Sequence, residues 1–385
     1  MQQYDVMVVG LGAMGAATLW RLAQAGARVL GVETGGPVHR NGSSHGATRI
    51  FRRAYFEGTS YLPLLNLAHA GWQELQATTP RRLTHATGGV FIGPRNSELV
   101  AGSVHTARAG NIEHAHWDTA ALRSHLPQFG IEEGMHALFE PGAYAVASEA
   151  GRLQMLDESV RHGAEIRYGT AAVSIEHSAA GLGITNRAGV TTRCKSAVIT
   201  AGAWMSQLLP ELATHLHPQH AAVYWFEPRP GCEARFTAGA LPVFVYECSD
   251  GAQLYGVPAG TGERGVKIGL HNRQQQPWSD GPKPALHAGL RAEIAHYTTR
   301  IVPELAPEPI DAQWCIYTLS PDGSFLIGAA QRIPGVYYAS ACSGHGFKFA
   351  PAIGSVLAAL ALGEPPPVPI DAFSAGRSAL TPQSA

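Results

Sequence analysis

The chain has 385 residues, more than one compact core accommodates, so two domains are expected. Hydrophobic residues make up 45% and charged residues 15%, and the formal net charge of −1 leaves no basic stripe for a nucleic-acid partner. The first residues run straight into an apolar strand with no signal-peptide pattern, and the apolar stretch 347–362 is short for a bilayer span, so a cytoplasmic location with no membrane partner is expected.

In chain order, residues 4–9 read as a buried strand. Gly10 makes a tight turn, Gly12 lets a phosphate approach the backbone, and Gly15 lets the following helix, 16–25, close on the strand. Gly26 stops that helix, and a second strand, 28–32, ends in Glu33, where an acid accepts a ribose hydroxyl. Strand, turn, helix, strand and acid in this order form a dinucleotide-binding fingerprint, and the acid disfavours NADP while fitting NAD or FAD alike. Residues 61–75 place Leu62, Leu65, Trp72 and other large apolar side chains on one helical face. Residues 88–93 read as a strand of a more antiparallel region. A helix over 150–162 and a strand over 165–168 return to alternating βα logic. A hairpin turning at 186–189 leads to a buried strand, 196–200, and the turn Ala201, Gly202, Ala203, Trp204. Beyond Pro218 come isolated strands at 221–226, 243–246, 253–257 and 265–270, which fit a mixed sheet. The strand 336–341 then feeds a second glycine turn, Ser343 to Lys348, and a last apolar helix. Gly363-Glu-Pro-Pro-Pro ends that helix and starts a surface tail, whose Pro-Gln-Ser-Ala terminus lacks a peroxisomal tripeptide.

The expected fold class is α/β: an FAD-binding, Rossmann-like domain of the glutathione-reductase type, carrying an inserted α+β substrate domain on a mixed sheet. The cofactor domain takes residues 1–80, 146–215 and 311–385, and the substrate domain 81–145 and 216–310. Two glycine turns at helix N-termini, one near each end of the chain, offer two anion sites. A long cofactor charged at two points fits them, and FAD is the best candidate, with pyrophosphate at the first turn and flavin at the second. The five cysteines have no paired spacing and indicate neither disulfides nor zinc. His215, His217 and His220 crowd together without a carboxylate, so no metal is expected there.

Four separated segments carry a resemblance that spans nearly the whole chain. They are Asn41-Gly-Ser-Ser-His-Gly-Ala-Thr-Arg49 with Arg52 and Tyr55; Lys267-Ile-Gly-Leu-His271; Cys315-Ile-Tyr-Thr318; and Ser343-Gly-His-Gly-Phe-Lys-Phe349. Behind the dinucleotide fingerprint and in this order, they resemble the monomeric sarcosine oxidase and N-methyltryptophan oxidase family of flavoproteins.

The resemblance implies an oxidase of a secondary amine, an N-methyl amino acid, that yields an imine, then amine plus aldehyde, and hydrogen peroxide. Its alternatives are a cyclic imino-acid oxidase of the pipecolate or proline type, a biosynthetic flavin dehydrogenase, and a non-catalytic flavin-binding subunit. Partners are then a small amino acid and O2, and the relatives imply a monomer. Cys315 matches the position at which the family attaches FAD through a thioether. Lys267 matches the lysine that activates oxygen, where a cation stabilises charge developing on O2. It is one of only four lysines, with Lys195, Lys283 and Lys348. Arg52 and Lys348 match the pair that holds the substrate carboxylate, a two-pronged donor beside a point charge. Arg49 and His45 match groups beside the flavin ring, and His271 and Tyr255 match polar groups on its substrate side. The cofactor contacts implied along the chain are Gly10, Gly12, Ala13, Met14, Gly15 and Glu33 for the first turn; Ser44, Thr48, Arg49 and Ile50; Val173, Ala201, Gly202 and Trp204; and Cys315, Gly344, His345, Gly346 and Lys348. Ser44, Ala47 and Cys342 depart from the family pattern. So do 241–250, with Phe244 and Tyr246, and Tyr224-Trp225, which shift substrate identity if they face the pocket.

Overall fold

The computed structural model describes residues 3–178 and 181–380. Among them, an eight-stranded sheet holds Tyr4–Val9 between Thr191–Ile199 and Val29–Val32, parallel to both. Glu165–Arg167 extends the parallel run on one side, and Val336–Ser340 lies parallel to the end of Thr191–Ile199 on the other. Parallel strands end on one edge, and that edge is where α/β sheets bind ligands. Val6, Val8 and Val198 are fully or almost fully buried under the helices, as a sheet covered by crossover connections requires.

The helices Ala13–Gln24 and Ala350–Leu362 each leave one of these strands and cross closely. A Cβ on Gly354 would lie 2.5 Å from the Ala17 backbone, so the missing side chain is what permits the contact. Since each helix returns antiparallel to its strand, both N-termini point to the same sheet edge. The first helix starts at Ala13 and not at residue 16, because Gly12 occupies the N-cap and the glycine turn is its first turn. The last begins as a single 3₁₀ turn, Phe347–Phe349, before the α-helix proper.

A nine-stranded mixed sheet forms the second layer. Gly89–Pro94 runs parallel to Val243–Glu247 and antiparallel to Met135–Glu140. His217–Phe226 pairs antiparallel with Val266–Leu270 on one side and with Asp311–Leu319 along its length on the other. That register sets Trp225 opposite Lys267 and Ala221 opposite Cys315. Pro218 lies inside His217–Phe226, at the strand start where its missing N–H is tolerated. The expected division counts 311–385 with the cofactor domain, whereas Asp311–Leu319 is a strand of this second sheet. A three-stranded sheet of Thr48–Phe51, Tyr144–Ala147 and Thr84–Ala86 joins the layers and carries Thr48, Arg49 and Ile50.

The Asn186 turn is as expected: its side chain accepts from the N–H groups of Ala188 and Val190, both at 3.0 Å. The tail departs from expectation. Phe373 is buried against Tyr61 and Phe325, and Arg377 pairs with Asp322 at 2.7 Å, so apolar burial pins a segment whose prolines alone read as surface. Residues 381–385, with the C-terminal tetrapeptide, lie outside the described residues.

Candidate functional site

A groove of about 710 Å³ opens between the ligand edge of the first sheet and one face of the second, and both glycine turns line it. The two turns use one device. A Cβ on Gly15 would sit 1.8 Å from the Gly10 carbonyl oxygen, and a Cβ on Gly346 1.7 Å from that of Ala341. In each case only a glycine lets the helix start against the first carbonyl after the preceding strand. At one end of the groove the Glu33 carboxylate accepts from the N–H groups of Leu11 (2.8 Å) and Gly35 (3.0 Å), which fixes its oxygens where a ribose would lie.

The donors around the groove suit a long anionic cofactor. Arg152, buried, gives its guanidinium to the carbonyls of Leu11 (3.2 Å) and Pro37. Arg49 gives its donors to the carbonyls of Thr48 (2.7 Å), Ser43 (2.9 Å) and His45 (2.8 Å). Carbonyl dipoles hold these two cations without cancelling their charge, as a pyrophosphate and an electron-rich ring would require. Among the described residues, no hydrogen-bond partner meets either ring nitrogen of buried His45 or His220, and both side chains line the groove. Burial, then Arg49, Lys283 and Lys267, push the His45 imidazole down to about 3, so it stays neutral. The residues present therefore fit FAD.

Cys315 lines this groove too, its Sγ 3.7 Å from the Ser43 carbonyl and 3.9 Å from Arg49 Nη2. Gly10, Gly12, Ala13, Met14, Ser44, Ile50, Ala201, Gly202, Trp204, Gly344, His345 and Gly346 also face it. Gly15 and Thr48 lie buried behind the wall. The Val173 side chain is 47% exposed and faces away, while Thr170, Ala171 and Ala172 line the groove in its place. The second turn offers fewer free donors than its sequence implies, because the His345 and Gly346 N–H groups both bond to the Cys342 carbonyl, at 2.8 and 3.0 Å.

Toward the other end, Arg52 and Lys348 converge on Tyr55. The Arg52 guanidinium stacks 4.3 Å over the Tyr55 ring, and Lys348 Nζ lies 3.4 Å from the phenol oxygen and 2.6 Å from the His345 carbonyl. Tyr55 is itself held by His345 Nδ1 at 2.5 Å. Arg52 is engaged by Glu57, whose carboxylate oxygens sit 2.7 and 2.9 Å from Nη2. Burial pushes the Glu57 carboxyl up, but Arg52, His345 and Lys348 outweigh it and hold it below its ordinary range. Burial and then Arg52 bring Lys348 down to about 7, against the opposing pull of Glu57. Behind this cluster the buried Glu140 carboxylate takes the N–H groups of Arg53 (3.1 Å) and Ala54 (2.9 Å), and the Ala54 carbonyl accepts from Arg52 Nη1 at 3.2 Å. His271 and Tyr255 complete the walls with Tyr317. Burial lowers the His271 pKa, and burial first, then Cys315, pushes Tyr255 up to about 12, so a neutral imidazole and a protonated phenol face the cavity.

Lys267 is buried, with Nζ 2.9 Å from the Thr48 carbonyl and 3.9 Å from Glu263. Burial first and Arg49 second lower it to about 8. Sequence reasoning missed Glu57, Glu140, Glu263 and Arg152. The only local signal was an acid close in sequence to a motif cation, five residues after Arg52 and four before Lys267. Of the departures from the family pattern, Ser44 accepts from the Ala13 N–H at 2.9 Å. Phe244, Tyr246 and Tyr224 are core residues of the second layer, whereas their neighbours Val245 and Trp225 face the groove.

Fold and groove together define a flavin-binding oxidoreductase, and residues 5–360 match the family described as FAD dependent oxidoreductase. The chain belongs to that family. It is 34% identical to the monomeric sarcosine oxidase of Streptomyces avermitilis over 381 residues, 98% of this chain and 99% of that one. It is 31% identical to the N-methyl-L-tryptophan oxidase of Yersinia pestis over 377 residues, 97% and 99% of the two chains. Among solved structures, the fold superposes on NikD, an amino acid oxidase of nikkomycin biosynthesis, with TM-score 0.83 and 20% identity over 97% of this chain and 98% of that one. L-proline dehydrogenase from P. horikoshii gives TM-score 0.81 at 18% identity, covering 97% of each chain. No helix among the described residues is long and apolar enough to cross a membrane, and no group of three His, Cys, Asp or Glu among them is placed to hold a metal ion.

Proposed function

We propose that this chain oxidises a small N-methyl amino acid, of the sarcosine or N-methyltryptophan type, with its FAD joined covalently to Cys315. The observation that carries the substrate class is the convergence of two buried cations, Arg52 and Lys348, on Tyr55 at one end of the groove. Two cations and one carboxylate, Glu57, leave one positive charge uncompensated, which suits a single substrate carboxylate. When bound, FAD supplies the two-electron acceptor for the substrate's C–H bond and returns the electrons to O2 as hydrogen peroxide. The first glycine turn, Glu33 and Arg152 would hold its dinucleotide half, and Cys315, Arg49 and Lys267 its ring.

The chain's own groups do the rest. Arg52 and Lys348 orient the substrate through its carboxylate, which fixes the amine and its adjacent carbon relative to the groove wall. His271, kept neutral by burial, is the group that accepts a hydrogen bond from the amine. Tyr255 and Tyr317 remain protonated and close the cavity against water. Lys267 is the cation beside developing negative charge on oxygen. Water hydrolyses the imine to amine and aldehyde. The protein acts in the cytoplasm and as a monomer, and the name of the Streptomyces relative supports the monomeric state.

Anaerobic mixing of the flavin-loaded protein with N-methyl amino acids, proline and pipecolate tests this. Bleaching of the flavin by an N-methyl amino acid, with peroxide on admitting air, is the expected result. Bleaching by the cyclic compounds alone would overturn the substrate class, and no bleaching at all the activity.

A further inference from the structure

Among the described residues, Lys267 has one carboxylate within ion-pair distance, Glu263, and that carboxylate is also tied to Ala47, Thr48 and Trp225 beside the lysine. Two glycines at positive φ, Gly262 and Gly265, reverse the chain so that Glu263 points back along the strand Val266–Leu270 toward Lys267. Glu263 Oε1 accepts from the Ala47 N–H at 2.9 Å. Its Oε2 accepts from the Thr48 hydroxyl at 3.0 Å and the Trp225 indole N–H at 2.9 Å, and lies 3.9 Å from Lys267 Nζ. The ammonium in turn donates to the Thr48 carbonyl at 2.9 Å.

We propose that Glu263 is a positioning residue for Lys267: it locks Ala47 and Thr48, where the loop after His45 enters the strand that carries Arg49, to the strand that carries the lysine, and it supplies the counter-charge that keeps the buried ammonium charged. The inference rests on the reading of Lys267 as the cation on the oxygen side.

A neutral acceptor could satisfy the Ala47 N–H, but three donors and an ammonium around one carboxylate select the ionised form. Burial pushes the Glu263 carboxyl up, and Lys267 with these hydrogen bonds more than reverses it. The groups facing Lys267 are Arg49 from the joining sheet, Glu263 from the turn, Cys315 from Asp311–Leu319, and the Trp225 ring 5.7 Å away on His217–Phe226; His45 lies within range on the loop before the Arg49 strand. Arg49 opposes the ammonium, and Glu263 is the carboxylate that offsets it. An opposite charge at this separation moves a titration by about one unit or more.

The test is a pH titration of Lys267 in the FAD-loaded protein labelled with [ε-13C]lysine, read by NMR. Four lysines keep the spectrum simple, and the Lys267→Met variant identifies the resonance. In Glu263→Gln the Lys267 midpoint should fall by about one pH unit or more, with Glu263→Asp between it and wild type. The rate of flavin reoxidation by O2 should drop off at correspondingly lower pH, while anaerobic reduction by substrate changes less than about twofold. An unchanged midpoint in Glu263→Gln, or in Glu263→Asp should the glutamine protein not fold, would overturn the proposal. So would slowing that is uniform across pH. If Lys267→Met reoxidises at the wild-type rate, the role assigned to the lysine fails instead, and the NMR midpoint still decides whether Glu263 sets its charge.

Discussion

Replacing Glu57 with glutamine separates two effects of one carboxylate. In the wild type Arg52 Nη2 already donates to both Glu57 oxygens, at 2.7 and 2.9 Å, so a substrate carboxylate must share Arg52 with a second carboxylate. In Glu57→Gln the incoming carboxylate forms a pair that did not exist before. A charge-assisted hydrogen bond contributes about 1.5–3 kcal/mol, and the Glu57 side chain is only 17% exposed, so solvent screening is modest. Taking the lower figure, binding of a non-oxidisable carboxylate such as acetate should tighten about tenfold. The second effect has the opposite sign. Burial and Arg52 hold Lys348 down at about 7, and Glu57 is what pulls it up. Without Glu57 the ammonium loses its proton at lower pH, and carboxylate binding, which needs Lys348 protonated, should decline at a lower pH than in wild type. The gain is therefore largest at about pH 6 and below and shrinks toward pH 8. Titrating acetate into the flavin-loaded proteins, followed by the flavin absorbance, measures both. Equal or weaker binding by the variant at the acid end, or an unshifted pH profile, would refute the reasoning.

Lys267→Met should leave anaerobic reduction intact and slow reoxidation by about a hundredfold, read by stopped-flow under air, because the cation acts on charge that develops only in that step. Acid precipitation of the wild type should carry the yellow colour into the pellet, whereas Cys315→Ser should release it to the supernatant; absorbance of the two fractions decides. Gly346→Ala puts a Cβ 1.7 Å from a backbone oxygen and should cost more than about 3 kcal/mol by chemical denaturation, with loss of bound flavin. His45, buried and held at about 3 in the folded chain, titrates near 6.5 once unfolded. Since the unfolded state binds the extra proton, stability should fall by about 1.4 kcal/mol per pH unit as pH drops from about 6.5 toward about 3, and His45→Asn should remove that part of the slope in flavin-free protein.

The dinucleotide half was legible because its signals are local. Gly10 takes a positive φ and a Cβ on Gly15 would meet the Gly10 carbonyl, constraints that act within a few residues, and Glu33 follows at a fixed chain distance. The same holds for Gly346, whose conflict with Ala341 is five residues away. Strands came out well where apolar runs were bounded by turn residues, as at Tyr4–Val9, and poorly where pairing extends them, as in His217–Phe226, which runs through Pro218 because Asp311–Leu319 lies alongside. The motif cations Arg52, Lys267 and Lys348 could be named from sequence because their segments match a family. Their counter-ions could not. Glu57 and Glu263 are ordinary acids in the chain, and they come to face these cations only because packing removes water from around them and leaves specific donors in its place. Sequence by itself determined the fold class, the cofactor cradle and the positive groups of the groove. The tertiary structure alone decided which carboxylates balance those charges, since desolvation and distance, which set the strength of a charge pair, belong to the folded chain and not to residue order.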